Sequence, residues 1–362
     1  MVGKIRLCLI LLILTCSFGA CKKEKPRKND VPETVIPETD VPSELQQTMV
    51  STIAGDVKRG NADGKGLSAR FHSPSGICID VNGNVYVADY HNHAIRKITR
   101  EGDVTTLAGG IAGDTELTST AFNGPMGVTI DSKGNLYVAD DNNQKVKRIA
   151  AEGTIQVIAG SKQGELDGPL GTNKLNYPYA VAIDESTGSI YVSQFTSYVK
   201  RIKNGVVETL AGGIKYNYED AAFKFPLGIV INAEKELIVS DYGKNQIFKI
   251  NAKGEVLLIA GSGVAGALDG QASEATFNLP HGLAIDKEGN IYVADRGNNK
   301  IRKISTAGVV TTVAGNGALG IVDGPANLAS FNEPTGLAID LDGNLLVTDR
   351  GNHQIRKITF KK

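Results

Sequence analysis

Apolar residues in this chain come in runs of about five, and Gly, Asn, Asp and Pro separate the runs from Val50 to Phe360. A run such as Ile291-Tyr-Val-Ala-Asp295 is β-branched and aromatic, which suits a pleated, half-buried strand. Nothing in that region sustains the period of an amphipathic helix. The runs fall into groups of four. In one group, Phe277–Asp286 is a turn leading into a strand and Lys287–Asn290 is a turn. Ile291–Asp295 is then a second strand, Arg296–Asn299 a turn, Lys300–Ile304 a third strand and Val309–Gly315 a fourth. Groups begin near Phe71, Phe122, Leu175, Phe223, Phe277 and Phe331, at separations of 51, 53, 48, 54 and 54 residues, the period of a propeller blade.

The phrase that ends each group places its strand: Val104–Gly109, Ile155–Gly160, Val207–Gly212, Val256–Gly261 and Val310–Gly315. The sixth group stops at Phe360 without its own copy, while a spare copy, Val50–Gly55, precedes the first group. One unit short at one end and one strand spare at the other predicts a ring. The expected fold is all-β, a six-bladed β-propeller with four antiparallel strands per blade. The N-terminal strand, residues 49–55, completes the sixth blade and removes the open edges of an unclosed array.

The first strand of each blade is expected nearest the axis. Ile79, Ile130, Ile183, Ile231, Ile285 and Ile339 form one column there, and Cys78, Thr129, Ala182, Val230, Ala284 and Ala338 form a smaller one, as a tapering interior needs. Asp89, Asp140, Asp241, Asp295 and Asp349 end the second strand and read as turn caps for the following loop. A second acidic column, Asp63, Asp114, Asp167, Asp269 and Asp323, reads the same way.

The motifs Pro-x-Gly-Ile/Leu-Ala-Ile-Asp, Gly-Asn-x-Tyr-Val-Ala-Asp and Asn-x-x-Ile-Arg-Lys-Ile resemble the NHL repeat, with groups five and six nearest its consensus. The resemblance covers Val50 to Phe360 and implies a six-bladed propeller. Groups three and four depart from it. Ser193-Gln194 replaces Ala-Asp in the third, and Asn232 with Ala233-Glu-Lys-Glu236 replaces the Asp and Gly-Asn turn in the fourth. Those blades are expected to be irregular. The fold hosts unrelated activities, so it does not by itself name a function.

Residues 1–20 read as a signal peptide: Lys4 and Arg6 precede the apolar run Leu7–Leu14, which is too short to span a bilayer. Phe18-Gly19-Ala20-Cys21 resembles a bacterial lipobox, which makes Cys21 the lipidation site. Residues 21–48, rich in Pro, Glu, Lys and Thr, read as an extended tether, and residues 49–362 as the propeller. Lipid, tether and disc together predict a protein anchored in the envelope of a Gram-negative bacterium, periplasmic or on the cell surface, and acting as a monomer. With 39 basic and 39 acidic residues the chain carries no net charge, which argues against nucleic-acid binding. Cys78 has no partner in the mature chain and is expected to be a packing residue.

Propeller loops from strand two to three and from blade to blade share one face. The position after each second strand reads Tyr90, Asp141, Phe195, Tyr242, Arg296 and Arg350. A ring nearer the axis reads Ser75, Met126, Tyr179, Leu227, His281 and Thr335. Both rings vary from blade to blade, as recognition on a rigid scaffold requires. Tyr90, Tyr179, Phe195 and Tyr242 are expected to offer exposed aromatic faces. Asp141, His281, Arg296 and Arg350 supply polar partners, a mixture suited to an envelope glycan or a protein. The leading expectation is a non-enzymatic binding or scaffold module with no cofactor. The alternative, by analogy with related propellers, is a metal-assisted lyase or lactonase acting on a saccharide, in which His72, His91 and His93 form a local cluster with His353 in the adjoining blade. Zinc needs three or four convergent ligands, and solvated loop histidines are the blander reading.

Overall fold

In a computed structural model that describes residues 47–113, 121–213 and 221–361, the strands form six antiparallel sheets arranged as blades. The signal peptide, nearly all of the tether, Cys21 and Asp114 lie outside the described residues. Blade one is typical: strands Pro74–Ile79, Val85–Asp89, Ala94–Ile98 and Asp103–Gly109 follow one another in sheet order. Blades one, three, five and six add a two-residue fifth strand on the outer edge, such as Gly64–Lys65 beside Asp103–Val104. The interblade connection runs back along the blade and pairs with it, which covers an edge that four strands would leave bare.

Closure is as the repeat arithmetic requires. Met49–Ala54 pairs with Gln354–Thr359, with Val50 opposite Ile358 and Ala54 opposite Ile355. On its outer side it meets Gly324–Pro325, and Asp323 accepts the Thr52 N–H at 2.9 Å. First strands line the axis and pack against their neighbours. A Cβ on Gly76 would lie 2.6 Å from the Met126 carbonyl oxygen of the next blade, so the glycine of the Pro-x-Gly motif sets the distance between blades. Cys78 faces the apolar lower channel with the other first-strand residues, and burial pushes the pKa of its thiol upward, which suits packing rather than nucleophilic chemistry.

Of the aspartates that end the second strands, Asp241 accepts N–H groups from the following loop as expected, whereas Asp89, Asp140, Asp295 and Asp349 take their backbone N–H from the preceding turn. Asp89 accepts the His72 N–H at 2.7 Å from the preceding turn and pairs at 2.8 Å with Arg96, whose side chain is fully buried. Arg96 also reaches Asp63 at 2.7 Å and the Arg70 carbonyl, and its guanidinium lies 5.0 Å from the Phe71 ring centre. The second acidic column is therefore corrected too. Asp63, Asp269 and Asp323 hold a buried arginine and accept a fourth-strand Thr N–H, or Thr52 in blade six. Asp167 does the same with Lys200. The turn-capping role belongs to the aspartate at the end of the first strand, or Asn232 in blade four: Asp80 accepts the N–H groups of Asn82 and Asn84 and the Tyr86 hydroxyl.

Blades three and four are irregular, as their sequences suggest. The other four blades follow the second strand with a single 3-10 turn, for example Tyr90–Asn92, and these two do not. In blade three Gln194 replaces the aspartate and donates to Glu165 at 2.9 Å. In blade four Phe248 replaces the arginine and meets Phe223 edge-on at 5.6 Å, while Asp241 takes N–H groups from Lys224, Phe225, Gly243 and Lys244 instead.

A latch between blades accounts for two of the histidines. The residue after each 3-10 turn, or its equivalent, has φ between 52° and 59° and accepts an N–H from the next blade. The acceptors are His93 Nδ1 from Gly124 at 3.0 Å, Gln144 from Tyr177 at 2.6 Å and Asn245 from Leu279 at 2.9 Å. Asn299 from Glu333 at 3.0 Å and His353 Nδ1 from Ser73 at 3.1 Å complete the set. Only a neutral imidazole can accept here, and burial first, then His72, lower the pKa of His353 below 6.5. An unfolded histidine titrates at about 6.5, so this contribution is present above that pH and is lost as pH falls through the lower folded value. His353→Asn, which copies blades four and five, should therefore lose less thermal stability than the parent between pH 7 and pH 5. Equal acid sensitivity in the two proteins would remove His353 as a source.

Candidate functional site

The 3-10 turns and the Pro-x-Gly turns open on the same face and surround a cavity of about 260 Å³ at the axis. Met126, Asp141, Tyr177, Tyr179, Phe195, Leu227, Tyr242, His281, Arg296 and Arg350 line it. Seven of the eight residues expected at the site thus meet around one space. Tyr90 is the exception. It packs behind the lining and carries the Arg350 guanidinium over its ring at 5.2 Å.

Met126, Tyr179 and Leu227 form the apolar floor and separate the cavity from the lower channel. Tyr179 and His281, expected to be exposed, are 7% and 4% exposed, because the inner turns of neighbouring blades converge at the axis. The Tyr179 hydroxyl meets His281 Nε2 at 2.5 Å. Burial, with Arg296 and Arg350 adding to it, drives the His281 pKa well below 6.5, so the imidazole is neutral and holds the Tyr179 ring in place. Burial likewise pushes the Tyr179 hydroxyl up to about 12, so it remains protonated.

Blades three and four supply an aromatic wall. Phe195 stacks on Phe225 at 4.8 Å with planes 12° apart, and Tyr242 lies 6.5 Å from Phe195. Arg296 braces this wall, donating to the Tyr242 hydroxyl at 3.1 Å and to Glu333 at 2.7 Å, while its Nε–H is buried without an acceptor. Blades two and six face it with Asp141 and Arg350. Asp141 is 6% exposed, and among the described residues its carboxylate has no hydrogen-bond or ion-pair partner within reach. Burial pushes its pKa up to about 7, Asp140 adds to the rise and Arg350 opposes it.

Ser75 and Thr335 of the inner ring are buried fasteners: Ser75 donates to the Met126 sulfur, and Thr335 bonds Thr348 at 3.0 Å. The contributions of Tyr177, Phe225 and Glu333 were missed. They belong to a third variable column, the residue before each blade's proline: Ser73, Gly124, Tyr177, Phe225, Leu279 and Glu333. Its variation along the repeat was available as a signal. The histidines divide differently from the metal-cluster reading. His72 lies 4.7 Å from His91 and 5.6 Å from His353, ring centre to ring centre. His353 spends its Nδ1 on a latch, and among the described residues no three His, Cys, Asp or Glu side chains converge as metal ligands do.

A closed ring of six blades with variable turn residues gathered over its axis defines a β-propeller with a cavity on its loop face. The chain belongs to the NHL-repeat propellers: the NHL repeat model matches residues 71–98, 122–149 and 331–358, and the Teneurin NHL domain model matches residues 164–325. NHL repeat-containing protein 2 of Gallus gallus is 31% identical over 341 residues, which cover 88% of this chain and 43% of that protein. The chain spans less than half the length of the curated relatives it matches first. Among solved structures, a Bacteroides thetaiotaomicron protein of unknown function superposes with a TM-score of 0.70 at 24% identity, over 87% of this chain and 76% of that one. An auxiliary nutrient binding protein from Bacteroides ovatus superposes at 0.68 with 18% identity, over 88% and 78%. At these identities the structural likeness speaks for the fold.

Proposed function

We propose that this protein is a non-enzymatic saccharide-binding propeller of the bacterial envelope, held to a membrane by lipid on Cys21 through the tether of residues 21–48. One observation carries the reading: a stacked aromatic wall, Phe195 with Phe225 and Tyr242, shares the cavity with a buried carboxylate and a guanidinium that make no side-chain hydrogen bond or ion pair among the described residues. A pyranose ring offers an apolar C–H face to such a wall and hydroxyl groups to such a pair. The rigid ring positions both without the ordering cost of a flexible loop. A structural neighbour that is an auxiliary nutrient binding protein fits this kind of task.

Binding to an oligosaccharide panel tests the reading, with Phe195→Ala and Tyr242→Ala beside the parent. Each loss of an aromatic face should weaken binding by roughly threefold to tenfold, the value of one ring contact. Retained affinity in both variants would remove the wall from recognition. A protein captured through this face while every saccharide fails would reverse the ligand class.

A further inference from the structure

The loop-face cavity is charged in a chain that is neutral overall. Arg296 and Arg350 border it with Asp141, while Glu333 pairs with Arg296 at 2.7 Å. Among the described residues no carboxylate or carbonyl accepts from the Arg350 guanidinium, and the Tyr90 face beneath it supports the group without satisfying any N–H. Arg296 has spent two donors on Tyr242 and Glu333 and keeps a buried Nε–H without an acceptor. Such donors are costly to bury unless a ligand completes them. Both arginines lie near His281 and add to the burial that keeps its imidazole neutral.

Resting on the saccharide reading above, we infer that the cavity selects an acidic sugar, a uronic-acid residue whose carboxylate is taken by Arg350 while its ring lies on the Phe195–Tyr242 wall. Arg350 offers a planar fork to two carboxylate oxygens, the geometry in which guanidinium outperforms ammonium. Asp141 does not oppose this. Its charged neighbours are Asp140, next in the chain, and Arg350, with His281 and Tyr179 neutral and Arg296 farther round the rim. Burial already brings its pKa up to about 7, so a ligand anion nearby would hold it protonated, and the acid form donates a hydrogen bond to the ligand. A neutral sugar that donates its hydroxyls to Asp141 would instead require the ionised form. The two ligand classes therefore differ in the sign of their proton linkage: proton uptake for the acidic sugar, proton release for the neutral one.

The experiment is calorimetric titration of the full chain with di- and trigalacturonate, a glucuronate disaccharide and an alginate disaccharide, each beside its methyl ester, which keeps shape and removes charge. At least one acid should bind about tenfold or more tightly than its ester, the value of one strong charge-assisted pair. That acid should bind with proton uptake between pH 6 and pH 7.5. Arg350→Met should bring acid and ester within about threefold of each other, and Asp141→Asn, which cannot titrate, should abolish the proton uptake. Circular dichroism and melting of both variants establish that they are folded. Equal binding of acid and ester, or a neutral sugar preferred and lost in Asp141→Asn, overturns the acidic-sugar inference and leaves saccharide binding standing. Failure of every acid, ester and neutral sugar overturns both.

Discussion

A chain that begins at Asp56, lacking the Met49–Ala54 strand, should aggregate or melt on the order of 10 °C below one that begins at Thr48. The strand is paired on both sides, with Gln354–Thr359 and with Gly324–Pro325. It buries Val50 and Ala54 almost completely, and these two residues belong to different hydrophobic clusters. Val50 packs with Ile358, Phe331 and Val347 between blades five and six, and Ala54 packs with Phe71, Ile77 and Ile355 between blades six and one. Burial of each valine-sized side chain stabilises by roughly 1.5–3 kcal/mol. The backbone groups of Gln354–Thr359 would lose their partners and become a bare edge open to other chains. A loss of about 5 kcal/mol is a large part of the stability of an ordinary domain and corresponds to roughly 10 °C or more. Differential scanning calorimetry with size-exclusion chromatography measures both effects. A truncated chain that stays monomeric and melts with the longer one would contradict closure by this strand.

Arg356→Met should cost about 3–5 kcal/mol, the second large effect, because it strands a buried charge. The Arg356 and Asp349 side chains are fully buried and pair at 2.7 Å, and Arg356 also holds Asp323 at 2.6 Å and the Ser330 and Val322 carbonyls. Without the guanidinium, Asp349 keeps only the Asn332 N–H and the Asn352 amide, and two carbonyls lose their donors. Adding Asp349→Asn to Arg356→Met should recover part of the loss, since removing both charges costs less than removing one. Urea denaturation of the single and double variants reads the difference. A single variant within about 1 kcal/mol of the parent would show that the pair contributes little. Blade four shows what an apolar replacement requires. Phe248 occupies the arginine position there, and Asp241 is satisfied by N–H groups from Gly243 and Lys244 in a turn of different shape. Blade six has the 3-10 turn Arg350–Asn352 instead, which leaves Asp349 dependent on Arg356.

The two kinds of aspartate show where linear reading reached its limit. Asp80 and Asp89 both follow short β runs and precede turns. Asp80 caps its own turn, a contact within six residues that the sequence reading assigned to other aspartates. Asp89 meets Arg96 across two strands and, through it, Asp63 on the interblade connection, a partnership that exists only once the sheet and the outer loop have formed. The recurrence of arginine in Ile-Arg-Lys-Ile was visible, but its burial was not, because an arginine between apolar residues on a strand ordinarily faces water. The histidines repeat the lesson. His93 and His353 resemble solvated loop residues until the next blade brings its N–H to each ring.

The sequence by itself determined the blade number, the order of strands and the place of closure, because these are properties of a period and of a strand out of place, and neither needs distances. It also supplied the eight candidate residues, since variation against a constant repeat marks the positions that the fold does not require. Tertiary structure decided which of them share a space. It set Tyr179 and His281 at the floor, moved Tyr90 behind Arg350 and left the Asp141 carboxylate without a hydrogen bond among the described residues. These outcomes depend on how far each turn reaches toward the axis and on what the adjoining blade places beside it, distances that come into being only when the ring closes.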